Sequence, residues 1–143
     1  MSAGWLLDNS AWARLDLPAL SEHRRTEIAD RFATGRLYTS LPFLLEAGVS
    51  ARDAADWLRL AEDFEALPEA AIDAVVERRA RQALHDLVRA GLHRAIPPVD
   101  ILLGALAERH RLTLLHYDRD FDRLADHTGL EFSAEWLAPA GSL

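Results

Sequence analysis

The chain of 143 residues has no cysteine and no lysine, and all sixteen of its basic residues are arginine. Without cysteine there is no disulfide framework, no thiolate nucleophile and no zinc–thiolate centre. Without lysine there is no Walker-type phosphate lysine, no Schiff base, and no receiver-type switch that needs a lysine beside its aspartates. A glycine-rich phosphate loop is also missing, which ranks a nucleotide-binding or phosphotransfer domain last. Long apolar runs are absent too. The stretch Trp5, Leu6, Leu7 is cut at Asp8 and follows no basic segment, so neither a signal peptide nor a membrane span is expected, and the expected location is the cytoplasm. Against the arginines stand 23 acidic residues, a formal net charge of −7. That balance disfavours nonspecific coating of nucleic acid, whose affinity comes from neutralising phosphates. Half the residues are apolar, enough for one packed domain and too many for a disordered chain.

What is present is a regular alternation of short apolar runs and amphipathic stretches. Residues 5–7 suit a buried strand, 22–34 a helix stopped at Gly35, and 37–39 a second strand. Ser40 can cap a further helix with Pro42 in its first turn, where a missing N–H costs little. Helices are expected over 51–65 and 71–90, the second ended by Gly91, with a weak strand at 66–67 between them. Another helix follows Pro97 and Pro98 and runs to His110. Residues 112–115 are the clearest strand, 119–126 a short helix, and 131–133 a last strand. Strands alternating with helices imply parallel βαβ units, hence one α/β domain over 1–143: a short parallel sheet with helices on both faces, in three layers.

The informative feature is where certain acids sit. Asp8 is the only charged residue between Ala3 and Ala13, Glu46 the only one from Leu41 to Val49, and Asp100 the only one from Ile96 to Ala107. A lone carboxylate in an apolar setting is expensive unless it is neutralised, paired or bound to a metal. Asp8 follows the first strand directly, and Asp118 follows the strand at 112–115 after His116 and Tyr117. Parallel sheets bind ligands beyond the carboxyl ends of their strands, so both aspartates should approach one crevice. Glu46 and Asp100 lie on helices that can face it. Four crowded carboxylates repel without a cation, and oxygen-only ligands suit Mg²⁺ or Mn²⁺. Each acid has a plainer alternative: helix capping for Asp8 and Asp100, an arginine partner for Glu46, and a solvated turn for Asp118, where Asp120 and Asp122 compete. The 118, 120, 122 spacing is not a calcium loop, because Arg123 and Gly129 stand where glycine and glutamate are needed.

These residues carry a family resemblance. LLDNSAWARL at the start, LPFLLEAG around Glu46, IPPVDILLGALAERHRLTLLHYDRDFDRLA across Asp100 and Asp118, and EWLAP near the end resemble a PIN-domain ribonuclease of the VapC type, the toxin of bacterial toxin–antitoxin pairs. The resemblance spans nearly the whole chain. It implies a metal-dependent endoribonuclease in which Asp8 and Asp100 are the principal ligands of Mg²⁺ or Mn²⁺. Glu46 is then a ligand or water-orienting base, Asp118 a supporting ligand with Asp120 as its substitute, and Ser10 the small hydroxyl that positions a water or phosphate oxygen. It implies RNA products with 5′-phosphate and 3′-hydroxyl ends, a cognate antitoxin as partner, and a homodimer. Two positions depart from the usual pattern. Asn9 replaces threonine, and Leu103-Gly104 replaces isoleucine-alanine, which is expected to loosen that helix by about 1 kcal/mol.

An acidic protein needs local cations to hold RNA. Arg78, Arg81, His85 and Arg89 recur at helical spacing opposite the apolar stripe, with Arg94 shortly after. They are expected to form a phosphate-contacting ridge, although a solvated face partly neutralised by Glu77 explains them as well. Trp12, Trp57 and Trp136 read as core or dimer packing, His116 as an ordinary strand-end residue and not a general acid. The small apolar stripe Ala51, Ala54, Ala55, Leu58 and Ala61 suits close helix packing. The alternative to a nuclease is a catalytically weak member of the same fold that binds RNA or protein.

Overall fold

The structure is a computed structural model that describes residues 4–143. Its elements run β1 (Trp5–Leu7), α1 (Asn9–Trp12), α2 (Glu22–Ala33), β2 (Leu37–Tyr38), α3 (Leu41–Val49), α4 (Ala54–Glu65), α5 (Ala74–Ala90), α6 (Pro98–His110), β3 (Thr113–His116), α7 (Asp120–His127) and β4 (Ser133–Trp136). All strand pairings are parallel, in the order β2-β1-β3-β4. The three-layer α/β expectation holds, and the strands show why. In β1, Leu6 enters the core beneath α5, α6 and α7, while Leu7 enters the opposite core with α1, α2 and α3. Leu114 and Leu115 of β3 divide in the same way, as the two-residue period of a strand requires.

Helix starts follow their caps. Ser21, Ser40, Asp53 and Asp73 accept from the backbone N–H three residues on, and Gly91 ends α5 in the left-handed region. These caps correct the expected bounds: α4 begins at Ala54 and not at 51, and α5 at Ala74 and not at 71, because an uncapped start leaves backbone donors without partners. Residues 66–67 form no strand. The chain touches the sheet edge two residues later, where Thr39 pairs with Glu69 in a single parallel bridge. The last strand lies at Ser133–Trp136, beyond the expected 131–133, in register with all four residues of β3.

Gly104 corrects another expectation. A methyl group there would lie 2.6 Å from Leu124 Cδ2 and 3.2 Å from Leu130 Cδ1. The glycine lets α6 lie close against α7, and the helix it weakens on propensity alone is held by that packing. No helix among the described residues is long and apolar enough to cross a membrane.

Candidate active site

Strand order reverses about β1: the chain leaves β1 for β2 on one side and returns to β3 on the other. The crevice outside the carboxyl ends of β1 and β3 is therefore where a ligand site belongs. Asp8 ends β1, its N–H bonded to Leu115 O at 3.0 Å, and Asp118 follows β3. Asp100 enters from the first turn of α6 and Glu46 from α3. The cavity they line has a volume of about 750 Å³, and its wall also includes Asn9, Ser10, Arg14, Tyr117, Arg119 and Trp136.

The two alternatives weighed for the aspartates resolve differently. Asp8 does cap α1: its Oδ2 accepts from the N–H of Ser10 at 2.9 Å and from the Ser10 hydroxyl. Its Oδ1 is buried and has no partner among the described residues. Asp100 caps nothing, since Pro97 holds the cap position of α6, and its Oδ2 is likewise buried without a partner. Among the described residues Glu46 makes no ion pair with an arginine. These orphaned oxygens in residues only 3% and 5% exposed are the donor set that a hard divalent cation takes. Ligand oxygens of Asp100, Asp118 and Asp120 also lie within 4.8 Å of one another. Asp118 and Asp120 thus both reach the cluster, and Asp118 Oδ1 accepts from the N–H of Asp120 at 2.9 Å.

The electrostatics record the crowding. Burial first, then the charges of Asp8, Asp118, Glu46 and Asp120, push the Asp100 carboxyl up to about 8. Burial also raises Asp8, opposed by its bonds from Ser10. Glu46 is raised by burial and by Asp8, opposed in part by the nearby Asn9 side chain.

Ser10 is engaged on both sides. Its hydroxyl donates to Asp8 and accepts from the N–H of Tyr117 at 2.8 Å, so it ties the loop after β1 to the loop after β3. His116 is fully buried; its Nδ1 accepts from the N–H of Asp118 at 3.1 Å, and its ring packs on Phe121 and Trp136. Burial holds its pKa low, which keeps it a neutral strand-end residue that positions Asp118. Trp12 packs edge-on against Phe43 and Phe64 in the core, as expected. Trp136 instead borders the cavity, beside Tyr117.

The arginines expected as a ridge are exposed and do not line this cavity. The connection 91–97 brings the chain from the end of α5 to the start of α6, so Arg89 and Arg94 lie at the end that carries Asp100. Arg78 lies about three turns back along α5. The cavity's own cations are Arg14 and Arg119. Reading the sequence missed both. Arg14 stands four residues beyond Ser10, one helical turn, which was a usable signal; Arg119 had none, because it lies in a turn crowded with acids.

Residues 6–127 match the PIN domain family. The chain is 35% identical over 144 residues to Ribonuclease VapC51 of Mycobacterium tuberculosis, a match that covers 100% of this chain and 99% of that protein. It is 34% identical to Ribonuclease VapC21 of the same species, over 99% of each. Its fold is similar to that of DNA-bound VapBC from Salmonella typhimurium, with TM-score 0.70 and 17% identity over 94% of this chain and 98% of that one. It is also similar to VapBC2 from Rickettsia felis bound to a promoter DNA fragment, with TM-score 0.71 and 14% identity over 92% and 97%. By family match and full-length identity together, the chain belongs to the PIN-domain family.

Proposed function

We infer that this protein is a metal-dependent endoribonuclease, the cytoplasmic toxin of a toxin–antitoxin pair. The observation that carries the reading is the pair of buried, unpartnered oxygens, Asp8 Oδ1 and Asp100 Oδ2, at the reversal of strand order in an open cavity. The all-oxygen donor set favours Mg²⁺ or Mn²⁺. Asp8 and Asp100 would hold the ion, with Asp118 and Asp120 completing its surroundings. Bound there, such an ion supplies Lewis acidity toward phosphoryl oxygen and water. The chain's own part is positional. Ser10 fixes the Asp8 carboxylate, His116 fixes the Asp118 loop, and Glu46, its pKa raised by burial, is matched to accept the proton of an attacking water. Attack on phosphorus with departure of the 3′ oxygen leaves 5′-phosphate and 3′-hydroxyl ends.

The partners follow from chemistry on the surface and from the relatives. The similar VapBC structures hold a toxin with its antitoxin, and a cognate antitoxin with a basic tail would fit the carboxylate cavity. Leu41, Leu45 and Val49 of α3 and Leu58 of α4 are exposed, which supports a homodimer through that face. Arg89 and Arg94, with Arg78 and Arg81 further out, would contact RNA beyond the cavity.

The test compares wild type with Asp8→Asn and Asp100→Asn on labelled total RNA with Mn²⁺ and with chelator. Cleavage should fall at least about 100-fold in either variant and vanish in chelator. Cleavage that survives in chelator would overturn the reading.

A further inference from the structure

Arg14 is the most constrained cation beside the carboxylates. Its Nη1 donates to the Ser10 carbonyl at 2.8 Å, and its guanidinium carbon stands 4.9 Å from the centre of the Tyr117 ring. It is half-buried and lines the cavity, yet among the described residues it pairs with none of the carboxylates there. Neutral contacts alone aim it. One of five guanidinium donors is used, and the rest are held in a fixed plane at the edge of an acidic pocket. Ser10 supports both sides of this arrangement, its hydroxyl on Asp8 and its carbonyl on Arg14, so the distance between ligand carboxylate and cation is built into one residue.

We propose that Arg14 forms an RNA phosphate subsite, gripping a phosphodiester next to the one cleaved. The inference rests on the ribonuclease reading for its ligand. Five carboxylates line or adjoin this cavity and repel a polyanion wherever a cation does not intervene. Arg14 supplies a local attraction, and its planar fork matches two phosphate oxygens, which a point charge does not. Stacking on Tyr117 reduces the rotamer freedom lost on binding.

The experiment measures binding of a labelled single-stranded 12-mer RNA by fluorescence anisotropy across a NaCl series with Mn²⁺ present. It uses Glu46→Gln protein, so that hydrolysis is slowed while Asp8 and Asp100 remain to hold the ion, alone and combined with Arg14→Gln, Arg14→Lys or, as a surface-charge control, Arg59→Gln. Arg14→Gln should weaken binding about tenfold. It should also flatten the slope of log K against log salt by about 0.7, the contribution of one phosphate contact in a single strand. Arg14→Lys should keep the slope and lose part of the affinity; Arg59→Gln should change neither. A role confined to packing against Tyr117 would not move the slope. Equal slopes with and without Arg14, equal changes for Arg14→Gln and Arg59→Gln, or no RNA binding by any of the proteins would overturn the proposal. Wild-type cleavage is assayed in parallel. Cleavage without a slope change rejects the subsite and leaves the nuclease, whereas a slope change without cleavage rejects the nuclease and leaves the subsite.

Discussion

The Asp8 carboxylate is divided between two tasks. One oxygen is used by Ser10 to start α1, and the other is buried with no protein partner. Capping therefore does not exclude ligation, its alternative in the sequence, because a carboxylate has two oxygens with about four acceptor sites. Removing the Ser10 hydroxyl releases this orientation and the tie to Tyr117. Ser10→Ala should therefore weaken Mn²⁺ binding about 10–100-fold, measured by calorimetric titration; unchanged affinity would mean that Asp8 needs no support. Asp100 makes a pH statement. With its folded pKa raised to about 8, the cation-free protein keeps a proton that the unfolded chain releases near 4. Its folded stability should then fall as pH rises between those values and level off above them. Thermal melting in chelator should show that decline, Asp100→Asn should abolish most of it, and added Mn²⁺ should oppose it by favouring the ionised form.

At the scale of elements, caps decided boundaries and close approach decided composition. Periodicity located every helix longer than α1, but it extended α4 and α5 backward through residues that Asp53 and Asp73 exclude. Arg111 closes α6 in the left-handed region at φ 54°, where a side chain is strained. Arg111→Gly should raise stability by about 0.5–1 kcal/mol in denaturant titration. Gly104→Ala has the opposite sign. The gain of about 1 kcal/mol in helix propensity is outweighed by crowding of buried Leu124 and Leu130, and a net loss of about 1 kcal/mol is expected. A gain in that variant would show that α7 yields to α6.

At the scale of the molecule, charge is sorted by place. Glu135 on the edge strand β4 accepts from Arg31 at 2.6 Å and from Arg24 at 2.7 Å, and Arg31 lies over the Trp5 ring at 3.8 Å. This network fastens α2 to β4. Burial raises the Glu135 pKa, but the two arginines outweigh it and hold the carboxyl below its ordinary value. Its stabilisation is present above the ordinary carboxylate range and is lost as pH falls through the folded value. Glu135→Gln should cost about 2–3 kcal/mol, because buried Arg31 then lacks its partner; a smaller loss in denaturant titration would mean that Glu27 compensates. The network weakens at low pH and the Asp100 cluster at high pH, so the cation-free protein should be most stable in mildly acidic solution. The net charge of −7 belongs in part to that cluster, and an acidic protein can hold RNA where a bound cation and Arg14 offset the local negative charge.

The sequence by itself determined the strand and helix alternation, the parallel three-layer class, and the acids that approach one crevice, because an isolated charge in an apolar run must be explained locally. Family likeness, carried by ordered motifs, was equally legible. Tertiary structure alone decided what those acids do with each oxygen, that Asp120 joins Asp118, that Gly104 serves packing, and that Arg14 with Tyr117 and Trp136 walls the site. Those facts depend on which loops meet across the sheet, and residues 107 positions apart, such as Ser10 and Tyr117, are joined by a contact that no local pattern encodes.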